Sequence, residues 1–318
     1  MAGSNMRRLS KDQLPSFLKS RRGWGDILEL KRSEFPHLHQ IEPTNACPYH
    51  CVMCPRGSRM TRKIGYMTLP VFCRVMDEVG TYPILVRDRE IELFHFGESL
   101  LHPDIVRMNA YAAAKGLNTV LSVNALELRP DLGIGLTDGG AGTIVVSLDG
   151  DSQESFEKIR GRRIDYGLAV RNILSLSDHI RQTGSVTRLE VRMIMLRQNA
   201  DSAEGFKAYW RDRGVETKVR EFFPWGEPDM ADLGKYEKYP PFMPCPFPWQ
   251  YLVVQWNGDV VACCRDYNGQ TVMGNVMETE LKELWNGQAY ARFREDMVHG
   301  TYKNSVCSPC MDLYYTEQ

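Results

Sequence analysis

The 318-residue sequence predicts an α/β protein in two unequal parts. Three observations carry that reading. Between residues 38 and 223, short apolar runs of strand length alternate with segments of helical spacing, the pattern of parallel strands covered by helices. The alternation yields six strand–helix units at most, too few for a closed eight-fold barrel. Beyond it, residues 224–248 hold seven prolines, and Asn257-Gly258 then signals a two-residue β-hairpin turn between apolar runs.

In chain order, residues 1–35 are polar and basic, with a weak helical pattern around Leu14, Phe17 and Leu18 and a break expected at Gly23-Trp24-Gly25. They form an N-terminal extension, read either as a surface arm or as a lid that contacts substrate. Residues 38–42 are the first strand. Residues 68–79 place Val71, Val75, Met76 and Val79 on one side of a helix that also holds Cys73, read as a small buried hydrophobe. Strands are expected at 90–96, 118–123, 142–148, 188–196 and 215–223. Helices are expected at 103–115, with Pro103 at its start and Gly116 as its stop, and at 153–160, 166–183 and 202–213. The proline-rich stretch sets a boundary near residue 230. The main domain is then 36–230 and the small one 231–318, with hairpin strands at 251–256 and 259–263 and helices at 279–285 and 288–298.

Composition narrows the function. A hydrophobic content of 43% supports a buried core, and a net charge of -1 with pI near 6.7 lacks the basic footprint of a protein that binds nucleic-acid phosphates. No run approaches the roughly 18 apolar residues of a membrane span, and residues 1–10 lack the apolar core of a signal peptide. With no secretion signal, nine cysteines point to metal or redox chemistry rather than disulfides, and to a cytoplasmic location.

Three of those cysteines, Cys47, Cys51 and Cys54, follow the first strand with the spacing C-x3-C-x2-C. Three thiolates can hold three irons of a 4Fe-4S cluster and leave the fourth iron open to a substrate or cofactor. Zinc is the alternative, with His50 as a fourth ligand.

The C-x3-C-x2-C loop resembles the signature of the radical S-adenosylmethionine (radical SAM) superfamily. The resemblance implies an open, partial (β/α)6 barrel with its chemistry at the C-terminal strand ends. It also implies a 4Fe-4S cluster whose open iron binds S-adenosylmethionine, and a 5′-deoxyadenosyl radical that removes a hydrogen atom from substrate. Met53 stands where the family usually has an aromatic residue beside the adenine. Phe96-Gly97-Glu98 resembles the family's Gly-Gly-Glu element, so Gly97 and Glu98 are expected to take the ammonium of S-adenosylmethionine. Ser147, ending the fourth strand, matches the ribose-contacting segment, and Arg160 an arginine that meets the cofactor's carboxylate. Asn124 after the third strand is placed toward the cofactor, and Arg192 on the fifth toward substrate.

Cys245, Cys263, Cys307 and Cys310 together resemble the Twitch form of the SPASM extension, which implies one auxiliary 4Fe-4S cluster; a structural zinc site is the alternative. Cys264 follows a ligand on an expected strand, so it should point away from the cluster, into the cavity between the domains. There a thiol can donate hydrogen to a substrate radical. An inert buried cysteine and an alternative cluster ligand are the other readings. Size and cysteine plan resemble the epimerases and dehydrogenases of aminoglycosides and aminocyclitols in antibiotic biosynthesis. The implied activity is epimerisation of a sugar or aminocyclitol carbon with Cys264 as donor, the runner-up a dehydrogenase on the same substrates. A ribosomal-peptide maturase would carry a recognition domain ahead of the barrel, for which 35 residues leave little room. A non-catalytic iron-sulfur or zinc protein would explain the cysteines and not the strand-end motifs. The expected partners are the small-molecule substrate and a low-potential electron donor such as flavodoxin or ferredoxin, with no nucleic acid and no membrane.

Overall fold

The structure is a computed structural model and describes residues 14–161, 164–236, 238–240 and 242–315. Its first half runs α1 (Arg21–Lys31), β1 (Leu38–Ile41), α2 (Leu69–Gly80), α3 (Ile84–Arg87), β2 (Ile91–Glu92), α4 (Ile105–Ala114), β3 (Thr119–Asn124), α5 (Pro130–Asp138) and β4 (Thr143–Ser147). Next come α6 (Gln153–Arg160), α7 (Tyr166–Thr183), β5 (Arg188–Met195), α8 (Ala203–Arg211) and β6 (Glu216–Glu221). The remainder comprises α9 (Phe247–Gln250), β7 (Leu252–Val254), β8 (Asp259–Val261), β9 (Val272–Asn275), α10 (Leu281–Asn286), α11 (Gln288–His299) and α12 (Cys307–Tyr314). No helix among the described residues is long and apolar enough to cross a membrane.

Among the described residues the strands form one sheet in the order β6-β5-β4-β3-β2-β1-β7-β8-β9. Neighbours from β6 to β1 are parallel and β6 never meets β1, so this is an open partial barrel of six strands, as expected. The antiparallel β7–β8 and β8–β9 pairs follow the Asn257-Gly258 turn, and β7 pairs in parallel with β1, so the C-terminal hairpin extends the same sheet.

Period-two alternation sorts the strands into two faces. Leu121, Val123, Ile144, Val146, Val191 and Met193 pack into the helix-covered core, where full burial of such a side chain is worth about 1.5–3 kcal/mol. The other face carries Asn124, Ser147, Glu190 and Arg192. The register sets Asn124, Ser147 and Arg192 side by side across β3, β4 and β5.

Several expected elements differ. The break at Gly23–Gly25 is absent: α1 runs through it, because the glycines serve contact. A Cβ at Gly25 would lie 2.4 Å from Val298 of α11. Leu14, Phe17 and Leu18 precede α1 and are not part of it. Helix α5 escapes the sequence pattern for a related reason. Its Gly133 and Gly135 read as loop residues, but they let α5 approach Leu176 and Val106, whose methyl carbons would sit 3.3 and 3.1 Å from an added Cβ. The strand expected at 90–96 shrinks to two residues, since Phe96 and Glu98 bond to the loop after β1 instead of continuing the ladder. Cys73 is half-buried rather than fully buried.

Candidate functional site

The loop after β1 carries the free thiols of Cys47, Cys51 and Cys54. Two elements hold it. The end of α6 accepts the backbone N–H groups of His50 and Val52 at Arg160 O and Ile159 O, 3.3 and 2.9 Å away. Gly161 ends that helix in the left-handed region at φ 68°, with its Cα so close to the loop that a Cβ would meet His50 O at 2.4 Å. From β2, Glu98 N donates to Ala46 O at 2.8 Å, and a Cβ on Gly97 would lie 2.1 Å from Thr44 O. Gly97 therefore presses the β2 end against the cysteine loop. Burial pushes the Cys47 thiol up to about 11 and Cys54 to about 12, so their thiolates need a cation, as a metal centre supplies.

Glu98 lies beside this loop, 4% exposed. Its carboxyl oxygens accept from Leu100 N (3.0 Å) and Asn124 N (2.7 Å), while burial outweighs those bonds and lifts its pKa to about 7. Asn124 is 2% exposed; its Oδ1 accepts from Leu126 N and its Nδ2 has no partner among the described residues. Ser147 is half-buried in the same row. A raised carboxyl and an orphaned amide beside three thiols are the surroundings that a polar, cationic cofactor bound at an open iron would complete.

Arg160 Nη1 reaches Cys51 Sγ at 3.6 Å, and its Nη2 forms an ion pair with Asp149 at 2.7 Å. Burial opposes its charge, and Asp149 with the Cys51 and Cys47 thiols more than restores it. Met53 packs in an apolar cluster with Ile159, Leu196, Phe222 and Met230, its carbonyl bonded by Trp225 Nε1 at 2.9 Å. Trp225 has φ 56°, a left-handed conformation that costs a bulky residue of order 1–3 kcal/mol. Arg192 Nε donates to Glu190 at 2.7 Å, and Arg192 acts electrostatically on Glu92 of β2. Strands β3 and β4 separate these residues within the sheet, so that influence acts across its concave face. There burial lifts Glu92 to about 6 despite a 2.6 Å bond from Gln40.

The second set, Cys245, Cys263, Cys307 and Cys310, lines one apolar cavity with Phe247 and Met311. Cys307 and Cys310 share a face of α12, three residues apart. Cys263 follows β8 in a turn pinned by Asp266, whose carboxylate accepts from Gln270 N and from Thr271 N and Oγ1 at 2.6–2.9 Å. Burial raises the thiols here as well, Cys245 to about 11 and Cys307 to about 12. Four thiols around one apolar cavity fit a fully ligated cluster.

The alternation argument for Cys264 needs correcting, because β8 ends at Val261 and Cys263-Cys264 lies in that turn. Cys264 nevertheless does not line the cavity. Its Sγ lies 3.4 Å from the Tyr251 hydroxyl, and its carbonyl accepts from His95 Nε2 at 2.9 Å in the N–H tautomer. The rings of Tyr251 and His39 lie 4.4 Å apart, tilted by 40°, and His39 Nε2 is 3.7 Å from Glu92 on the concave face. The Cys263 and Cys264 thiols also share a hydrogen bond that raises Cys263 and lowers Cys264.

His39, Tyr251, Glu42, Arg62, His95 and Arg265 were not singled out from sequence. Glu42, fully buried at the end of β1, takes a bidentate pair from Arg62 (2.8 Å each) and has His95 at 3.4 Å. Burial disfavours its charge, and Arg62 and His95 reverse that, holding the carboxyl near 2. Through Arg62 Nε to Tyr267 O (2.7 Å) and His95 to Cys264, this network ties the first cysteine loop to the turn of the second. The Cys-Cys-Arg run at 263–265 was the one available signal for Arg265.

The family described as Radical SAM superfamily matches residues 41–204, and the family described as SPASM, iron-sulfur cluster-binding domain, matches residues 245–311. Among known proteins, the S-adenosyl-L-methionine-dependent 2-deoxy-scyllo-inosamine dehydrogenase of Niallia circulans is 32% identical over 72 residues, 22% of this chain and 29% of that protein. The crystal structure of BtrN in complex with AdoMet and 2-DOIA has a TM-score of 0.56 at 15% identity, covering 86% of this chain and 92% of that one. Streptococcus suis SuiB bound to precursor peptide SuiA has a TM-score of 0.64 at 15% identity, covering 92% and 73%. These two likenesses establish the fold. The chain spans less than half the length of the curated relatives it matches.

Proposed function

The chain belongs to the radical SAM superfamily, and from that premise we propose that it epimerises a carbinol carbon of a sugar or aminocyclitol, with Cys264 as hydrogen-atom donor. The observation that carries the reading is the place of Cys264: next to cluster ligand Cys263, outside the cavity of the four ligands, with its thiol on Tyr251 beside the concave face of the barrel.

Cys47, Cys51 and Cys54 would hold the first cluster, and Cys245, Cys263, Cys307 and Cys310 the auxiliary one. Bound at the first site, the cluster and S-adenosylmethionine would supply the radical chemistry by which a hydrogen atom leaves the substrate carbon. Glu98 and Gly97 would receive the cofactor's amine, Arg160 its carboxylate, and Asn124 and Ser147 its ribose side, with Met53 near the adenine. Arg192, with Glu92 and Glu190, offers substrate hydroxyl and amine groups both donors and acceptors. Cys264 then gives its hydrogen atom to the substrate radical, an S–H bond breaking as a stronger C–H bond forms, and delivery to the opposite face inverts the carbon. The sulfur regains its S–H with one electron, from a low-potential donor such as flavodoxin or ferredoxin, and one proton, for which Tyr251 and His39 are in place. A Cys263 sulfur committed to iron is a thiolate, and the proton that the cysteine pair shares then stays on Cys264.

Two-electron oxidation of the same substrate class is the second reading, favoured by the likeness to the 2-deoxy-scyllo-inosamine dehydrogenase. Products from a panel of aminoglycoside precursors, made by the parent and by Cys264→Ala, separate the two. Epimerisation leaves the product mass unchanged in the parent, and Cys264→Ala, which still cleaves S-adenosylmethionine, yields ketone. A parent that makes ketone, and Cys264→Ala that makes it equally well, replaces the epimerase reading with the dehydrogenase.

A further inference from the structure

Arg265 is a buried cation that the reaction leaves unexplained. It is 5% exposed. Its Nη1 donates to Cys310 Sγ, its backbone N–H donates to Cys263 Sγ at 3.4 Å, and its guanidinium lies 3.9 Å from the Phe223 ring centre and 4.2 Å from that of Tyr314. Among the described residues no carboxylate forms an ion pair with it, and its Nε has no partner. The adjacent carboxylate, Asp266, is taken up by Gln270 and Thr271. A guanidinium does not give up its proton, and a buried charge persists only when it is paired. The counter-charge on offer is the set of four cysteine sulfurs around the second cavity, which become thiolates when a cluster is held there.

We infer that Arg265 is the built-in counter-ion of the auxiliary cluster and raises its reduction potential, whichever reaction the enzyme performs. A 4Fe-4S cluster held by four thiolates is an anion that gains a further negative charge on reduction. A cation in contact with its sulfur, in a buried, apolar pocket of low dielectric, stabilises the reduced form more than the oxidised one. Hydrogen bonds from Arg265 to two ligand sulfurs act in the same direction. The auxiliary centre thereby holds an electron more readily than an unpaired cluster does. That suits either a store for the electron Cys264 needs or a sink for a second electron from substrate.

The test uses the full chain with Cys47, Cys51 and Cys54 replaced by alanine, reconstituted so that only the auxiliary site loads, with iron counted before a redox titration followed by electron paramagnetic resonance. R265Q is expected to lower the midpoint by at least a tenfold change in the one-electron equilibrium, about 59 mV. R265K, which keeps the charge and loses the fork, is expected to lower it less. Should R265Q load no iron, R265K decides alone: a lower midpoint supports the inference and an unchanged one overturns it. An unchanged midpoint in R265Q with iron in place overturns it, and a parent that holds no iron at this site removes the cluster and the inference with it.

Discussion

Each cysteine site sets an arginine against a thiol, but the two arginines differ in their company. Arg160 reaches Cys51 Sγ with Asp149 at 2.7 Å on its other side, whereas Arg265 donates to Cys310 Sγ among aromatic rings. The first site is balanced in charge before anything binds, and it keeps polar groups in reserve: the raised carboxyl of Glu98 and the unpartnered Nδ2 of Asn124. That suits a cofactor that is consumed and exchanged. The second site is apolar and unbalanced until four thiolates gather round a cluster, which suits a centre that stays and holds the fold.

The largest expected difference comes from deleting one cysteine set at a time. Two four-iron clusters mean about eight irons per chain, and either deletion should leave about four. Replacing Cys47, Cys51 and Cys54 with alanine abolishes S-adenosylmethionine cleavage and changes unfolding little. Replacing Cys245, Cys263, Cys307 and Cys310 strands Arg265, and an uncompensated buried charge costs about 3–5 kcal/mol. Denaturant unfolding of the two reconstituted variants checks this, and equal losses would erase the contrast between the sites.

A smaller effect sharpens the account of the first site. Burial raises Glu98 from 4.5 to about 7, so as pH rises the unfolded chain gives up this proton before the folded one does. Stability from this group is complete below 4.5 and is lost as pH climbs through about 7, by up to roughly 3 kcal/mol. Glu98→Gln should flatten that part of the stability–pH curve. It should also weaken S-adenosylmethionine binding by about 1.5–3 kcal/mol, read by calorimetry. An unaltered slope together with unaltered affinity would place the cofactor elsewhere.

The smallest expected effect is at Gly97→Ala, whose Cβ would press on Thr44 O. Overpacking of this kind costs typically about 1–3 kcal/mol. Because the contact props the cysteine loop, iron at the first site should fall while iron at the second holds, as separate spectra of the two clusters would show.

Much of this was legible in the sequence for physical reasons. Period-two patterns at Leu121–Val123, Ile144–Val146 and Val191–Met193 reflect burial on one face, which the order of apolar residues records directly. Cysteine spacing records ligand geometry. What failed to show was contact between segments distant in sequence. Gly25 and Gly135 look like helix breakers until Val298 and Val106 are seen against them. Residues 93–96 look like strand until the bonds of Phe96 and Glu98 to the segment after β1 appear. Glu42, Arg62 and His95 are ordinary residues in sequence and a single network in space. Cys264 was chosen from strand alternation. The turn at 263–264 removes that reason, and Tyr251 and His39 supply a different one.

The central claim is that Cys264 returns hydrogen to the substrate radical, and turnover in deuterium oxide tests it most directly. A thiol exchanges its hydrogen with solvent, so the parent enzyme should give an epimer with one deuterium, located by NMR at the inverted carbon. An epimer without deuterium at that carbon, or a ketone in its place, would contradict the claim.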